Sequence, residues 1–261
     1  MKMINAMPIR LLLCLLLSPL YSQAQPIQQK LHAHNDYKNA RPFWEAWEAG
    51  CGSIETDLYW YRDSVYVAHD LTDVPKRMRL EQLYLEPIRQ VLQQKGRIYK
   101  APGAQLILLI DIKNKCDQTL QWLLATLRQY PDIFETDSGV VIALSGERPA
   151  PDTWEALPPY VFLDGRPYDR LTEAQWEKVA LISTSFREVG RWNGKARLSS
   201  KEQQRFDELL AFAKAHNKAL RYWATPDKPQ AWRFLLKAGV DIIGTDEVPT
   251  AAEYISGCLQ K

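Results

Sequence analysis

From residue 29 onwards, short apolar or β-branched runs alternate with longer stretches whose apolar positions recur every three to four residues. The runs at 29–34, 52–59, 106–113, 140–145, 160–163, 180–185, 220–224 and 241–244 predict eight strands. Most are apolar at nearly every position, the mark of strands covered on both faces. Amphipathic stretches at 42–49, 80–94, 119–129, 201–216 and 230–238 predict helices between them. In the 201–216 stretch, Phe206, Leu209, Leu210 and Ala213 fall on one helical face. Gly50, Gly190 and Gly239 sit at expected chain reversals, and Pro229 opens a helix. This order predicts an α/β chain folded as a (β/α)8 TIM barrel, with a doubly wound open sheet as the rival arrangement. One insertion breaks the alternation. Residues 58–61 and 65–68, joined around Arg62-Asp63-Ser64, predict a β-hairpin after the second strand.

The N-terminus follows a different pattern. Lys2 and Arg10 precede the apolar run 11–20, and Ser22-Gln-Ala24 offers small residues at a cleavage point. That run is about ten residues, short of the roughly 20 that span a bilayer. Residues 1–24 are expected to be a signal peptide and 25–261 one barrel domain, exported to a periplasm or the extracellular space. No later segment reaches transmembrane length, so no span is expected in the mature chain. Lys2 and Arg10 are two of the 33 basic residues, and the leader holds none of the 31 acidic ones, so the mature chain is electroneutral. Such a chain offers no electrostatic case for a nucleic-acid partner or an anionic membrane. The remaining cysteines, Cys51, Cys116 and Cys258, are an odd, scattered trio with neither disulfide-framework nor zinc spacing.

Candidate chemistry gathers early. Three of the four histidines, His32, His34 and His69, lie in the first 69 residues, around an acidic pair. Alternation along the second strand places Ser53, Glu55, Asp57 and Tyr59 on one face, and Ile54, Thr56 and Leu58 on the other. Two inward carboxylates repel each other unless a cation or base lies between them. The third strand ends in Asp111 and Lys113 after Leu106-Ile-Leu-Leu-Ile. An acid there is costly unless paired or bound to a metal. Strands one, two and three thus all end in polar groups, at the end where a barrel builds its active site. The hairpin would lift His69 back over that end. Imidazole is the usual acid/base group near neutral pH, so the pattern predicts a metal-assisted hydrolytic site.

The order His34-Asn35, Glu55-x-Asp57, His69-Asp70 and Asp111-Ile-Lys113 resembles the phosphatidylinositol-phospholipase-C-like phosphodiesterase superfamily, which includes the glycerophosphodiester phosphodiesterases. Further on, 238–246 is similar to that superfamily's last strand, and Leu220-Arg-Tyr-Trp223-Ala to the one before. The resemblance implies a (β/α)8 barrel in which His34 and His69 are the acid/base pair. It implies a metal held by Glu55, Asp57 and Asp111, with Lys113 meeting the phosphate and Trp223 contacting substrate. The substrate it implies is a small-molecule or lipid-headgroup phosphodiester of glycerol or inositol type. There are departures. Glycerophosphodiesterases begin with His-Arg-Gly, whereas His34-Asn35-Asp36 is closer to the His-Asn of eukaryotic phosphoinositide phospholipases. The third acid, commonly glutamate, is the shorter Asp111.

The proposed ligands are all oxygen donors, with the side-chain carbonyl of Asn35 as a fourth, so one hard divalent cation is expected. The added neutral ligand favours Ca2+ over Mg2+. Arg148 and Arg166 follow the fourth and fifth strands, where each is either a phosphate clamp or half of a surface ion pair. His32 shares the face of His34, in a structural or a catalytic role. His216, at a helix end, reads as solvated or capping. Trp122 and Trp232, on helices, read as packing against the barrel. Two other classes compete. One is a non-catalytic secreted barrel that binds a phospholipid headgroup or a glycan. The other is an amidohydrolase-type metallohydrolase, suggested by His32-x-His34 with Asp246, but 162–165 and 181–185 lack the histidines it needs.

Overall fold

In the computed structural model, which describes residues 30–195 and 197–259, the strands pair into one closed ring. They are β1 (Leu31–Ala33), β2 (Ser53–Tyr61), β3 (Ser64–Val67), β4 (Leu106–Ile112), β5 (Val140–Gly146), β6 (Val161–Gly165), β7 (Val179–Ser185), β8 (Ala219–Trp223) and β9 (Ile242–Thr245). All but β3 run parallel to their neighbours, and β1 pairs with both β2 and β9. That double pairing closes the (β/α)8 barrel and rules out the open sheet. The expected leader lies outside the described residues. Among those residues, no helix is long and apolar enough to cross a membrane.

Strands buried on both faces hide their alternation in the sequence, and the structure restores it. Outward positions such as Ile54, Leu58, Leu108, Ile110, Leu144 and Tyr222 join one large core beneath the helices. Inward positions Leu109, Ala143, Leu181 and Ile242 form a separate small core inside the ring. Beyond this inner core, towards the C-terminal strand ends, the inward positions turn polar: Glu55, Asp57, Asp111, Ser145, Asp164 and Arg221. Eight helices surround the described barrel: α1 (Trp44–Glu48), α2 (Glu86–Lys95), α3 (Cys116–Leu127), α4 (Pro131–Phe134), α5 (Glu173–Glu177), α6 (Ser200–Ala215), α7 (Pro229–Lys237) and α8 (Val248–Leu259). The longest, α6, opens on a Ser199/Glu202 capping box and buries Phe206, Leu209, Leu210 and Ala213, the predicted stripe.

The hairpin is present, with a tighter turn than expected. Ser64 pairs with Tyr61, leaving only Arg62 and Asp63 between the arms. Both carry positive φ, 45° and 59°, as a two-residue hairpin matched to strand twist requires. Two of the other crossovers are short. After β5 the chain makes a six-residue 3-10 helix at Pro151–Ala156, and after β6 only the five-residue α5.

Candidate active site

Register builds the acidic wall. Asp57 of β2 pairs with Asp111 of β4, which pairs in turn with Ser145 of β5. Glu55 lies one inward position below Asp57, so ligand oxygens of Glu55, Asp57 and Asp111 come within 4.8 Å of one another. Gly146 makes room for this arrangement. It has φ +69°, and a Cβ there would collide with Asp111 Oδ1 and the Ile112 carbonyl.

The histidines enter from two sides. His34 follows β1 on a turn pinned by the buried Asp36, whose Oδ2 accepts from the Phe43 amide at 2.6 Å and the Tyr84 hydroxyl at 3.0 Å. His34 Nδ1 donates to Asp246 Oδ1 at 2.7 Å, which leaves Nε2 as the acceptor for the Asn35 amide at 3.1 Å. Burial alone would depress the His34 pKa, but the bonded Asp246 and nearby Glu55 outweigh it and raise the pKa. His69 arrives on the hairpin, where Ala68 N continues the ladder to the Asp57 carbonyl. Its Nδ1 donates to Asp57 Oδ2 at 2.8 Å. Each histidine therefore has one ring nitrogen fixed by a carboxylate, and the second nitrogen of His34 meets the neutral Asn35 amide.

His34, Asn35, Glu55, His69, Asp111, Lys113, Arg166 and Trp223 all line one cavity of ≈ 260 Å³ at the C-terminal strand ends. Asp57 stands behind them, fully buried, bonded also to the Tyr37 hydroxyl at 2.8 Å. Asn35 Oδ1 accepts from the same hydroxyl at 3.3 Å. Lys113 Nζ bridges Asp111 Oδ2 at 2.8 Å and Asp57 Oδ2 at 3.1 Å. Of the predicted site residues, Asp57 backs this cavity and Arg148 lies outside it. Its guanidinium is spent on Asp169 Oδ2 and the Asp164 carbonyl.

Three contributors lie outside the predicted site residues, Asp246 having entered only through the amidohydrolase alternative. Arg221, buried within β8, donates to Glu55 Oε2 at 2.7 Å. Tyr37 and Asp246 orient Asp57 and His34. An arginine at an inward position of an apolar strand was the available signal for Arg221. His32 is fully buried, with Nε2 donating to Glu55 Oε2 and Nδ1 accepting from Ser53, both at 2.8 Å. Burial and the charge of Arg221 lower its pKa to about 4, so it is neutral and structural. His216 caps α6 and stacks on Trp176 at 3.9 Å.

The acids fit a divalent cation. Asp57 Oδ1 is buried and accepts no hydrogen bond, though a carboxylate oxygen can only accept. Burial raises the Asp57 pKa, and the charges of Glu55 and Asp111 add to that, opposed by Lys113 and His69. Burial works against ionised Glu55 too, yet Arg221 and His32 hold its carboxyl well below the usual range.

Residues 20–133 match the profile of the AIM6-like phosphodiesterase domain. The barrel resembles a glycerophosphodiester phosphodiesterase from Parabacteroides distasonis, with a TM-score of 0.57 at 14% identity, over 88% of this chain and 98% of that one. The resemblance to the phosphatidylinositol-phospholipase-C-like and glycerophosphodiester phosphodiesterase superfamily is borne out. A second glycerophosphodiester phosphodiesterase of that superfamily, from Agrobacterium tumefaciens, gives a TM-score of 0.52 at 14% identity, over 87% of this chain and 99% of its own. These likenesses speak for the fold. Among sequences, the Altered inheritance of mitochondria protein 6 homolog of Arthroderma benhamiae is 28% identical over 279 residues, 91% of this chain and 88% of that protein. Altered inheritance of mitochondria protein 6 of Eremothecium gossypii is 28% identical over 274 residues, 88% of this chain and 70% of that one.

Proposed function

We propose that this chain is an exported, metal-dependent phosphodiesterase acting on a glycerol- or inositol-type phosphodiester. One observation carries the reading. His34 and His69, each with a ring nitrogen tied to a carboxylate, line the same cavity as an acidic trio. The carboxylates fix the orientation of each ring, as a proton-transfer pair requires. One histidine takes the proton of the attacking hydroxyl or water while the other gives one to the leaving oxygen. For hydrolysis of a cyclic intermediate the roles reverse. Lys113 keeps Asp57 and Asp111 together against their mutual repulsion. Glu55, Asp57 and Asp111, with Asn35 beside them, would hold the cation, Ca2+ in preference to Mg2+. Bound there, it would offset phosphate charge and lower the pKa of the attacking hydroxyl. Export rests on the leader-like pattern of residues 1–24.

The deciding experiment is a panel of glycerophosphodiesters, lysophospholipids and phosphatidylinositol, assayed with chelator and again with Ca2+ or Mg2+ restored. Turnover that vanishes with chelator and returns with the ion is the expected result. Turnover untouched by chelation overturns the metal, and none on any diester leaves a non-catalytic barrel.

A further inference from the structure

Five basic side chains line the catalytic cavity: His34, His69, Lys113, Arg166 and Arg221. Four are already committed to carboxylates. His34 is bonded to Asp246, His69 to Asp57, Lys113 to Asp57 and Asp111, and Arg221 to Glu55. Arg166 alone of the five, among the described residues, has no carboxylate within ion-pair distance of its guanidinium. Its place is nevertheless fixed. It follows β6 directly, its backbone amide donates to Asp169 Oδ2 at 2.8 Å, and Nη2 donates to the Gly146 carbonyl at 3.2 Å. Its Nε is buried with no acceptor. A guanidinium carries five N–H donors, so most of this one's capacity is unspent. Asp164 senses its charge, but Asp164 Oδ2 accepts from the Ser145 hydroxyl at 2.8 Å.

The neighbouring position holds no substitute. Beside His34 stands Asn35, a neutral amide engaged with the ring of His34 and with Tyr37. Arg148 is bound to Asp169 and does not line the catalytic cavity; it lines an adjoining one that Arg166 and Gly146 border as well.

We infer that Arg166 is the phosphate anchor of this site, holding the non-bridging oxygens of the diester from the β6 side, away from the acidic wall on β2 and β4. The inference rests on the phosphodiesterase reading. A planar guanidinium offers two parallel N–H donors to two oxygens of one phosphate, which an ammonium cannot do. Arg166 is thus a binding residue, and its loss acts on substrate affinity before it acts on proton transfer.

The test titrates inorganic phosphate into the full protein by calorimetry, with chelator present, and measures KM and kcat on bis(p-nitrophenyl) phosphate with the metal restored. Arg166→Gln should weaken phosphate binding and raise KM by about 10- to 100-fold, the worth of a hydrogen bond to a charged group. Arg166→Lys should recover part of the loss, and Arg148→Gln should bind phosphate within about twofold of the parent. Melting curves confirm that each variant is folded. Parental binding in Arg166→Gln, a loss carried instead by Arg148→Gln or Lys113→Met, or a parent protein that binds no phosphate would each overturn the anchor. Arg166-dependent phosphate binding without hydrolysis of any diester keeps the anchor and rejects the phosphodiesterase reading. Metal-dependent hydrolysis indifferent to Arg166→Gln does the reverse.

Discussion

His69 Nδ1 lies 2.8 Å from Asp57 Oδ2, on a chain that leaves Asp57, turns, and returns twelve residues later. The same carboxylate oxygen also receives the Tyr37 hydroxyl and the Lys113 ammonium. Asp57 is therefore a hub that ties a histidine, a lysine and the acidic wall to one strand position.

If the two histidines transfer protons, losing either should cost about 10²–10⁴-fold in rate. His34→Ala and His69→Ala are expected to lose this in kcat on a hydrolysed diester, while calorimetry shows metal affinity little changed. His216→Ala, stacked on Trp176 far along the chain, should keep parental kinetics. Parental kcat in either of the first two variants would remove that histidine from the mechanism.

Arg221 neutralises Glu55 in a setting where both are almost wholly buried. Removing one partner of such a pair strands the other charge, at about 3–5 kcal/mol. Arg221→Met should lower unfolding stability by that order in urea titration. The double variant Arg221→Met/Glu55→Gln should recover much of it, because no stranded charge remains. Additive losses would show that the pair contributes packing rather than charge balance.

Acid should weaken the fold through His32. Its folded pKa is about 4 against an ordinary 6.5, so the unfolded chain binds the proton first. Its stabilising contribution is complete above pH 6.5 and declines as pH falls towards 4, by at most about 1.4 kcal/mol per pH unit. His34, with a raised pKa, acts in a different window: its contribution is complete below 6.5 and fades at higher pH. Glu55, with a lowered pKa, adds its own loss only under more acidic conditions. Urea titrations between pH 7 and pH 4.5 should show the decline in the parent and a flatter profile in His32→Gln.

Gly146→Ala should do more harm than a positive φ alone explains. The left-handed backbone costs a residue with a Cβ roughly 1–2 kcal/mol. Gly103, at φ +74° with nothing near its absent Cβ, isolates that cost. Gly146→Ala adds the collision with Asp111 Oδ1, so it should also weaken metal binding, which Gly103→Ala should leave unchanged. Equal stability losses and parental metal affinity in both would show that Asp111 moves aside freely.

What could be read from sequence follows the physics of each signal. All eight barrel strands and the hairpin were legible, because apolar runs and turn residues are local features. The acidic trio was legible because inward parity on β2 and the end of β4 are counted within one strand. The roles of Arg221 and Asp246 were not, since each acts on a residue that only ring closure brings near: Arg221 and Glu55 lie 166 residues apart, and His34 and Asp246 lie 212 apart. Tyr37 reaches Asp57 on the next strand from the turn after β1, which no local pattern marks. Arg148 and Arg166 looked equivalent, each following a strand, until the placement of Asp169 separated them. The turn was misjudged by one residue because Arg62 and Asp63 are not the usual residues for positive φ.

The two-residue turn has an evolutionary consequence. His69 leaves the ladder just after Ala68, whose amide bonds the Asp57 carbonyl, so its place is set by the register of the two arms. Residues added between Asp57 and Ala68 would slip that register, force a bulge or lengthen the ribbon, and each carries the imidazole away from Asp57. Most rim loops of a barrel are free to grow as substrates change. This one is held to a fixed length, and diversification of such a chain would be expected to proceed around it, through the connections after β5, β6 and β7.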